Sequence, residues 1–205
     1  MSRAIVCGVT GWMLGLITNF VTASDVQFVE RSGQGLRSFD MAANQNMIFD
    51  FTNVASVDNW TEMSDTVRTV GMSKAAMPNG AGFAGVRVVG NLDLSRYQAL
   101  KLRARAQGPN THYKMVLRHR GEDQEPFPTY ENFFTAPTGD FGEVELKLSD
   151  FVPYYRGRQV PDADPLEPAR VTSLGLQVYG GVYAPTKQAG PGSLEIDWIA
   201  GIPAQ

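Results

Sequence analysis

The sequence has little of the chemistry that most enzymes need: it contains one cysteine and two histidines in 205 residues. Transition-metal centres draw mainly on Cys and His ligands, and an activated nucleophile usually needs a nearby base. Because His112 and His119 are separated by an odd number of residues, a regular strand would point them to opposite faces. We therefore expect no metal site, no cofactor and no enzymatic activity.

Net charge is also nearly absent. The chain has 18 Lys and Arg against 21 Asp and Glu, which gives a formal net charge of −3. Such a balance produces no overall field that would attract a polyanion, so we expect no nucleic-acid partner.

The N-terminal segment differs from the rest of the chain. Arg3 is the only charged residue before position 24, residues 4–21 are largely apolar, and Val21-Thr22-Ala23 fits a signal-peptidase site. We predict that residues 1–23 are a signal peptide for the secretory pathway or extracellular space. The alternatives are an uncleaved membrane anchor and a mitochondrial presequence. Cleavage would remove Cys7 and leave a chain without disulfides or a stable membrane insertion.

Two polar features follow this segment. Residues 24–46 show no sustained periodicity and predict a linker or arm. Asn59-Trp60-Thr61 is an acceptor sequence for N-glycosylation, which would be used only in the secretory pathway.

Residues 47–201 alternate apolar and polar side chains in short runs separated by Gly, Pro, Asn and Asp, and no helical period persists. This pattern is typical of half-buried antiparallel strands. Two such sheets can bury each other's apolar faces, so we predict an all-β protein, a β-sandwich of jelly-roll type.

Two strands, at residues 99–106 and 112–120, are separated by turn residues and are predicted to form a hairpin. Their alternation would gather six basic side chains on one face: Lys101, Arg103, Arg105, Lys114, Arg118 and Arg120. Such a face is either a docking surface for an acidic partner or a solvated surface neutralised by residues such as Glu143 and Glu145.

Seven places along the chain resemble, in order, the complex I intermediate-associated protein family, the thirty-kilodalton class. They are Trp60 with Ser64-Asp65, residues 82–87, Tyr113-Lys114, Tyr130 with Phe133, residues 151–158, Gly175 and residues 194–199. The resemblance implies a galactose-binding-like β-sandwich. It also implies a function, since the family's named member is a non-catalytic mitochondrial factor that helps to assemble respiratory complex I.

Relative to that family, the segment at residues 73–82 is short, and the N-terminus looks secretory. The favoured function is a protein-binding assembly factor or chaperone whose partners, by resemblance, are assembly intermediates of a membrane complex. The alternative is a secreted or luminal lectin-like module that binds glycans through aromatic side chains such as Tyr154, Tyr155, Tyr179 and Tyr183.

Individual residues receive three kinds of prediction. The predicted core aromatics are Trp60, Phe83, Phe133, Phe151 and Trp198. Arg87 is predicted to be buried in a pair with Asp65 or Asp197. The candidate partner-binding patch is Tyr154, Tyr155, Arg156 and Arg158, because Tyr and Arg are enriched at binding hot spots.

Overall fold

The computed structural model describes residues 46–53, 56–64, 82–190 and 192–204, together with the backbone of two strands before them. These residues form thirteen strands: β1 (Ser2–Val9), β2 (Val26–Arg31), β3 (Met47–Asp50), β4 (Trp60–Ser64), β5 (Phe83–Leu92), β6 (Tyr97–Gln107), β7 (His112–His119), β8 (Thr129–Thr135), β9 (Gly142–Lys147), β10 (Val152–Tyr155), β11 (Arg158–Gln159), β12 (Val171–Tyr179) and β13 (Gly192–Pro203). Among the described residues, short 3₁₀ helices lie at Leu148–Asp150 and Pro168–Arg170.

The strands form two antiparallel sheets. The six-stranded sheet has the order β2-β1-β13-β6-β9, with β3 also paired to β13, and the seven-stranded sheet has the order β11-β10-β8-β7-β12-β5-β4. This architecture confirms the predicted galactose-binding-like β-sandwich.

The core lies between the sheets and follows directly from the alternation of the strands. In β6 the residues Leu100, Leu102 and Ala104 are completely buried, whereas the basic residues between them are half-exposed. In β7 the residues Tyr113 and Leu117 are completely buried in the same way. Burial of this continuous apolar layer, at about 25 cal/mol per Å², is the main favourable term that holds the two sheets together.

The predicted hairpin between β6 and β7 is wrong. β6 pairs with β13 and β9 in the six-stranded sheet, whereas β7 pairs with β8 and β12 in the seven-stranded sheet. The intervening turn therefore crosses from one sheet to the other. Alternation identifies which side chains share a face, but it does not identify the neighbouring strand. β6 pairs with β13, which is longer than β7.

Two of the five predicted core aromatics belong to the core, and the other three face outward. Phe151 is buried, and Trp60 packs against the core beside Phe49 and Phe51. Phe133, by contrast, is 40% exposed.

Phe83 and Trp198 are half-buried on outward-facing sides of the sandwich. Phe83 lies opposite Tyr179 across the β5–β12 pair, on the same side of β5 as Arg87. Trp198 lies opposite Arg103 because a β-bulge shifts the register of β13 at this point. Hydrophobicity predicted that both side chains would be buried. The alternation of side chains along β5 and the bulge in β13 instead direct them outward.

Three sequence predictions fall largely outside the described residues. The structure describes only backbone strands within the predicted signal peptide and linker, so processing of this segment stays a prediction. The short segment at residues 73–82 lies outside the described residues except for Gly82, and so does Asp65.

Candidate functional site

The outward side of the six-stranded sheet carries only three of the six basic residues that the sequence predicted on one face, because β6 and β7 belong to different sheets. Lys101 pairs with Glu143 on β9 at 3.1 Å, Arg103 pairs with Asp197 on β13, and Arg105 pairs with Glu195 on β13. We call this surface the ion-pair face. Each of these cations is matched by an acidic residue from the neighbouring strand, so this half of the predicted basic surface is neutralised.

The outward side of the seven-stranded sheet has a different character. It carries four aromatic residues and one buried ion pair, and we call it the aromatic face: Phe83, Phe133, Tyr154, Tyr179, Lys114 and Glu131. Cross-strand register places these side chains on a common surface, because Lys114 lies opposite both Phe133 on β8 and Gln177 on β12.

Phe133 stands at the centre of the aromatic face. Its ring makes edge contacts with Tyr154 on one side, at 5.5 Å between centroids, and with Tyr179 on the other, at 5.3 Å. Both tyrosines are half-buried, and Phe133 remains 40% exposed. The contacts with two neighbouring rings restrict the motion of the Phe133 ring while it remains accessible. A partner can therefore bind this ring without a large loss of side-chain entropy.

Lys114 and Glu131 lie beneath this aromatic group. Their Nζ and Oε1 atoms are 2.7 Å apart, and the side chains are only 12% and 5% exposed. Glu131 also accepts a hydrogen bond of 2.9 Å from the Thr129 hydroxyl. Burial, and to a lesser extent the Glu131 carboxylate, raises the pKa of Tyr154 and Tyr179 above the ordinary value, so both phenols stay protonated as hydrogen-bond donors.

Two arginines hold a loop against one end of the aromatic face. Arg118 donates to the carbonyl oxygens of Glu122, Gln124 and Phe127, and Arg87 donates to that of Asp123 at 3.1 Å. Burial and the neighbouring charge of Arg87 lower the pKa of Arg118.

Arg87 does not form the predicted buried pair with Asp197. Asp197 belongs to the six-stranded sheet and pairs with Arg103, whereas Arg87 belongs to the seven-stranded sheet. The other predicted partner, Asp65, lies outside the described residues.

The predicted patch of Tyr154, Tyr155, Arg156 and Arg158 lies at the edge of the seven-stranded sheet. Tyr154 joins the aromatic face, and the other three form the turn between β10 and β11. The guanidinium of Arg156 lies over the Tyr155 ring and that of Arg158 over the Tyr183 ring, at 5.2 and 4.9 Å from the centroids. The predicted patch therefore lies at the edge of the aromatic face, and it does not include Phe133 at the centre.

The histidines lie on opposite sides of β7, as their spacing predicted. His112 faces outward, and His119 is 1% exposed. The Nδ1 atom of His119 accepts a hydrogen bond of 2.8 Å from the Glu167 backbone, and its Nε2 atom lies 3.2 Å from the Tyr130 hydroxyl. Burial lowers the pKa of His119, so the neutral ring is the stable form.

The exposed apolar side chains are distributed unevenly. The large exposed apolar residues in the described part of the chain are Val89, Phe127, Phe133, Val182 and Tyr183. Each belongs to a strand of the seven-stranded sheet or to a loop that adjoins one. Within the same ranges there is no cluster of metal-ligating residues and no helix long and apolar enough to cross a membrane.

Solved structures with a similar fold include carbohydrate-binding modules and an enzyme of which a quarter of the chain is matched. A family 11 carbohydrate-binding module from Clostridium thermocellum, in complex with a β-1,3-1,4-mixed-linked tetrasaccharide, is 16% identical and has a TM-score of 0.55 over 78% of this chain and 95% of the module. The corresponding module of the cellulosomal cellulase Lic26A-Cel5E of the same organism is 16% identical, with a TM-score of 0.51 over 77% and 94%. An exo-β-agarase is 14% identical, with a TM-score of 0.50 over 78% of this chain and 25% of the agarase. At these identities the similarity shows the fold.

No curated protein matches the sequence. A family model does match, over residues 76–196, which is more than half of the chain. The matched range includes six strands of the seven-stranded sheet, together with β6, β9 and the first part of β13 in the other sheet. The chain therefore belongs to the family of Complex I intermediate-associated protein 30 (CIA30).

Proposed function

We propose that this protein is a non-catalytic assembly factor or chaperone that binds a protein partner through the aromatic face. Family membership supports an assembly role, and by that kinship the partner is an assembly intermediate of a membrane complex. The observation that carries the proposal is the exposure of Phe133 above a buried ion pair, on the sheet whose strands and adjoining loops carry the large exposed apolar side chains of the described residues. Exposed apolar groups of this kind mark interaction sites.

The geometry favours binding rather than chemistry. Lys114 and Glu131 neutralise each other beneath the aromatic rings, and Arg118 is occupied by three backbone carbonyls. These charges fix the surface in place and are not arranged as an acid and a base around an open cavity.

Site-specific photocrosslinking in the native cells tests this proposal. A photoreactive phenylalanine analogue replaces Phe133 on the aromatic face or, as a matched control, Lys101 on the ion-pair face. We expect a defined protein adduct from position 133 and none from position 101. Adducts of equal yield at both positions, or none at position 133, would contradict the proposal.

A second candidate function is glycan binding. It is favoured by one observation: Phe133 forms an accessible aromatic platform beside the phenols of Tyr154 and Tyr179, which can hydrogen-bond a ligand. Affinity electrophoresis through gels that contain a soluble mixed-linked β-glucan or agarose tests it. Retardation that Phe133→Ser abolishes would support glycan binding, whereas unretarded migration in both gels would leave the protein partner as the better explanation.

The compartment determines which partner the protein meets, and we propose the secretory route. Asn59 is exposed in the turn before β4, where a glycan can be accommodated. Cleavage after Ala23 would remove β1, so the mature protein would lack the strand that pairs with Gly192–Ile196. Mass spectrometry of the native protein should find a start at Ser24. A mitochondrial location with a different N-terminus would contradict this route and favour complex I assembly.

A further inference from the structure

The turn between β10 and β11 contains an unusual backbone conformation. Tyr155 and Arg158 are the last paired residues, so Arg156 and Gly157 form a two-residue turn with φ angles of +48° and +76°. Positive φ at both positions is the type I′ geometry, for which Asn-Gly is the preferred sequence. A long side chain at the first position is strained in this conformation. Residues retained under backbone strain are often retained for function.

The side chains at this turn present two guanidinium groups to solvent. Arg156 pairs with Glu125 at 2.8 Å, but both side chains are more than half exposed. That pairing holds the pKa of Glu125 below its ordinary value. Arg158 stacks on the Tyr183 ring, and no carboxylate in the described ranges forms an ion pair with it. The turn therefore has an excess of positive charge, in contrast to the matched cations of the ion-pair face.

The loop that carries Tyr183 is held in position by Lys187. Its ammonium group donates to the carbonyl oxygens of Gly181, of Val182 at 2.8 Å and of Ala184 at 3.2 Å, so all three of its donors are used. The adjoining Gln188 is buried and donates to the carbonyls of His112 and Tyr179. Val182 and Tyr183 are thus fixed while 37% and 59% exposed.

The turn and the loop meet. A Cβ atom at Gly157 would lie 3.3 Å from the Tyr183 ring, so the ring covers the turn backbone. We call the resulting surface the hairpin tip and define it by Tyr155, Arg156, Arg158, Val182 and Tyr183. It combines unmatched positive charge with rigid apolar groups, and such preorganisation lowers the cost of binding.

We propose that the hairpin tip binds an acidic segment of the protein partner, one in which carboxylates are interspersed with apolar side chains. This inference rests on the proposed function in protein binding. Arg158 and Arg156 supply the charge that carboxylates require, and the adjacent Tyr183 and Val182 contact the apolar side chains of the same segment. Electrostatic complementarity of this kind sets specificity and the rate of association.

Fluorescence anisotropy with a labelled synthetic peptide tests the proposal on the full chain. The probe alternates Glu with Leu, and the comparison peptide has Gln in place of every Glu. We expect the acidic peptide to bind more weakly as salt is added, and the Gln peptide not to bind. Arg158→Gln should weaken binding about tenfold, and Tyr183→Ser should have a similar effect. The matched control, Arg103→Gln on the ion-pair face, should leave the affinity unchanged.

Three outcomes would overturn the proposal. These are no binding of the acidic peptide, equal affinities for Arg158→Gln and Arg103→Gln, or displacement of the peptide by a sulfated oligosaccharide far more readily than by excess unlabelled peptide. Photocrosslinking at Phe133 does not depend on this result. A positive crosslink with a failed peptide test would reject only the role of the hairpin tip, and the reverse pattern would reject the aromatic face as the docking surface.

Discussion

The two outward faces of this sandwich are built from the same types of residue in different arrangements. On the ion-pair face, Lys101 and Glu143 meet in solvent, with side chains 35% and 54% exposed, although Arg105 and Glu195 on the same face are only 18% and 8% exposed. On the aromatic face, Lys114 and Glu131 make a similar pair with side chains only 12% and 5% exposed, because aromatic rings surround them. An ion pair in this fold can therefore either neutralise a charged surface or hold the aromatic side chains above it in place.

This contrast has an energetic basis. Exposed pairs contribute little, since the Coulomb energy is screened and the side chains lose entropy. A buried pair is costly to desolvate and costly to break, because removal of one partner leaves a buried charge unpaired. The pair beneath Phe133 is therefore expected to fix the geometry of the aromatic face rather than to add net stability.

The largest expected effect comes from breaking this buried pair. Glu131→Gln leaves the Lys114 ammonium without its partner and should lower the free energy of unfolding by about 3 kcal/mol. The matched substitution on the ion-pair face, Glu143→Gln, should cost less than about 1 kcal/mol. Urea denaturation of the two variants measures both values.

The double variant Lys114→Met with Glu131→Leu should recover most of the lost stability, because it removes both charges at once. Equal costs for Glu131→Gln and Glu143→Gln would mean that the two pairs are energetically alike and that the two faces differ only in their exposed side chains.

Much of the fold was predictable from alternation alone. The period of two correctly placed the basic residues of β6 outward and its leucines inward, and it separated His112 from His119. The arrangement of the strands was not predictable in this way, because the partner of β6 is β13, about ninety residues later in the chain. Local patterns carry no information about such distant pairing.

The centre of the candidate site was missed for a related reason. Phe133 and Phe134 are adjacent in β8, and two consecutive side chains of a regular strand point to opposite faces. One of the two therefore had to face outward, and in the structure it is Phe133. The pairing of Lys114 with Glu131 depends on the β7–β8 register, which no single strand reveals.

The buried histidine provides the next test, since it lies on the inward side of the seven-stranded sheet while the ion pairs lie outward. Because burial lowers the pKa of His119 below that of the unfolded chain, its contribution to stability is complete above about pH 6.5. The free energy of unfolding should fall as the pH drops from about 6.5 through the lower pKa that His119 has in the folded chain. The slope is at most about 1.4 kcal/mol per pH unit. Protonation would place a hydrogen on Nδ1, where it opposes the Glu167 N–H.

The groups that surround His119 are Arg120, Glu122, Glu167 and Arg170, together with the Tyr130 hydroxyl. Urea denaturation between pH 7.5 and pH 5.5 measures the slope for the native chain, for His119→Gln and for the outward-facing control His112→Gln. His119→Gln should flatten the slope whatever its cost in stability, and His112→Gln should retain it. An unchanged slope in His119→Gln would assign the pH dependence to other groups.

The last test concerns Arg156 in the hairpin tip and has the smallest expected change in stability. One substitution there should raise stability and lower the affinity for the peptide. Arg156→Asn replaces a residue strained at φ +48° with one that adopts this conformation readily, so the variant should be more stable by about 0.5–1 kcal/mol. The exposed pair with Glu125 contributes too little to cancel this gain. The same variant should bind the acidic peptide less tightly. A gain in thermal stability with a loss of affinity would show that the strain is retained for binding, whereas a loss of both would mean that Arg156 acts mainly to hold the turn together.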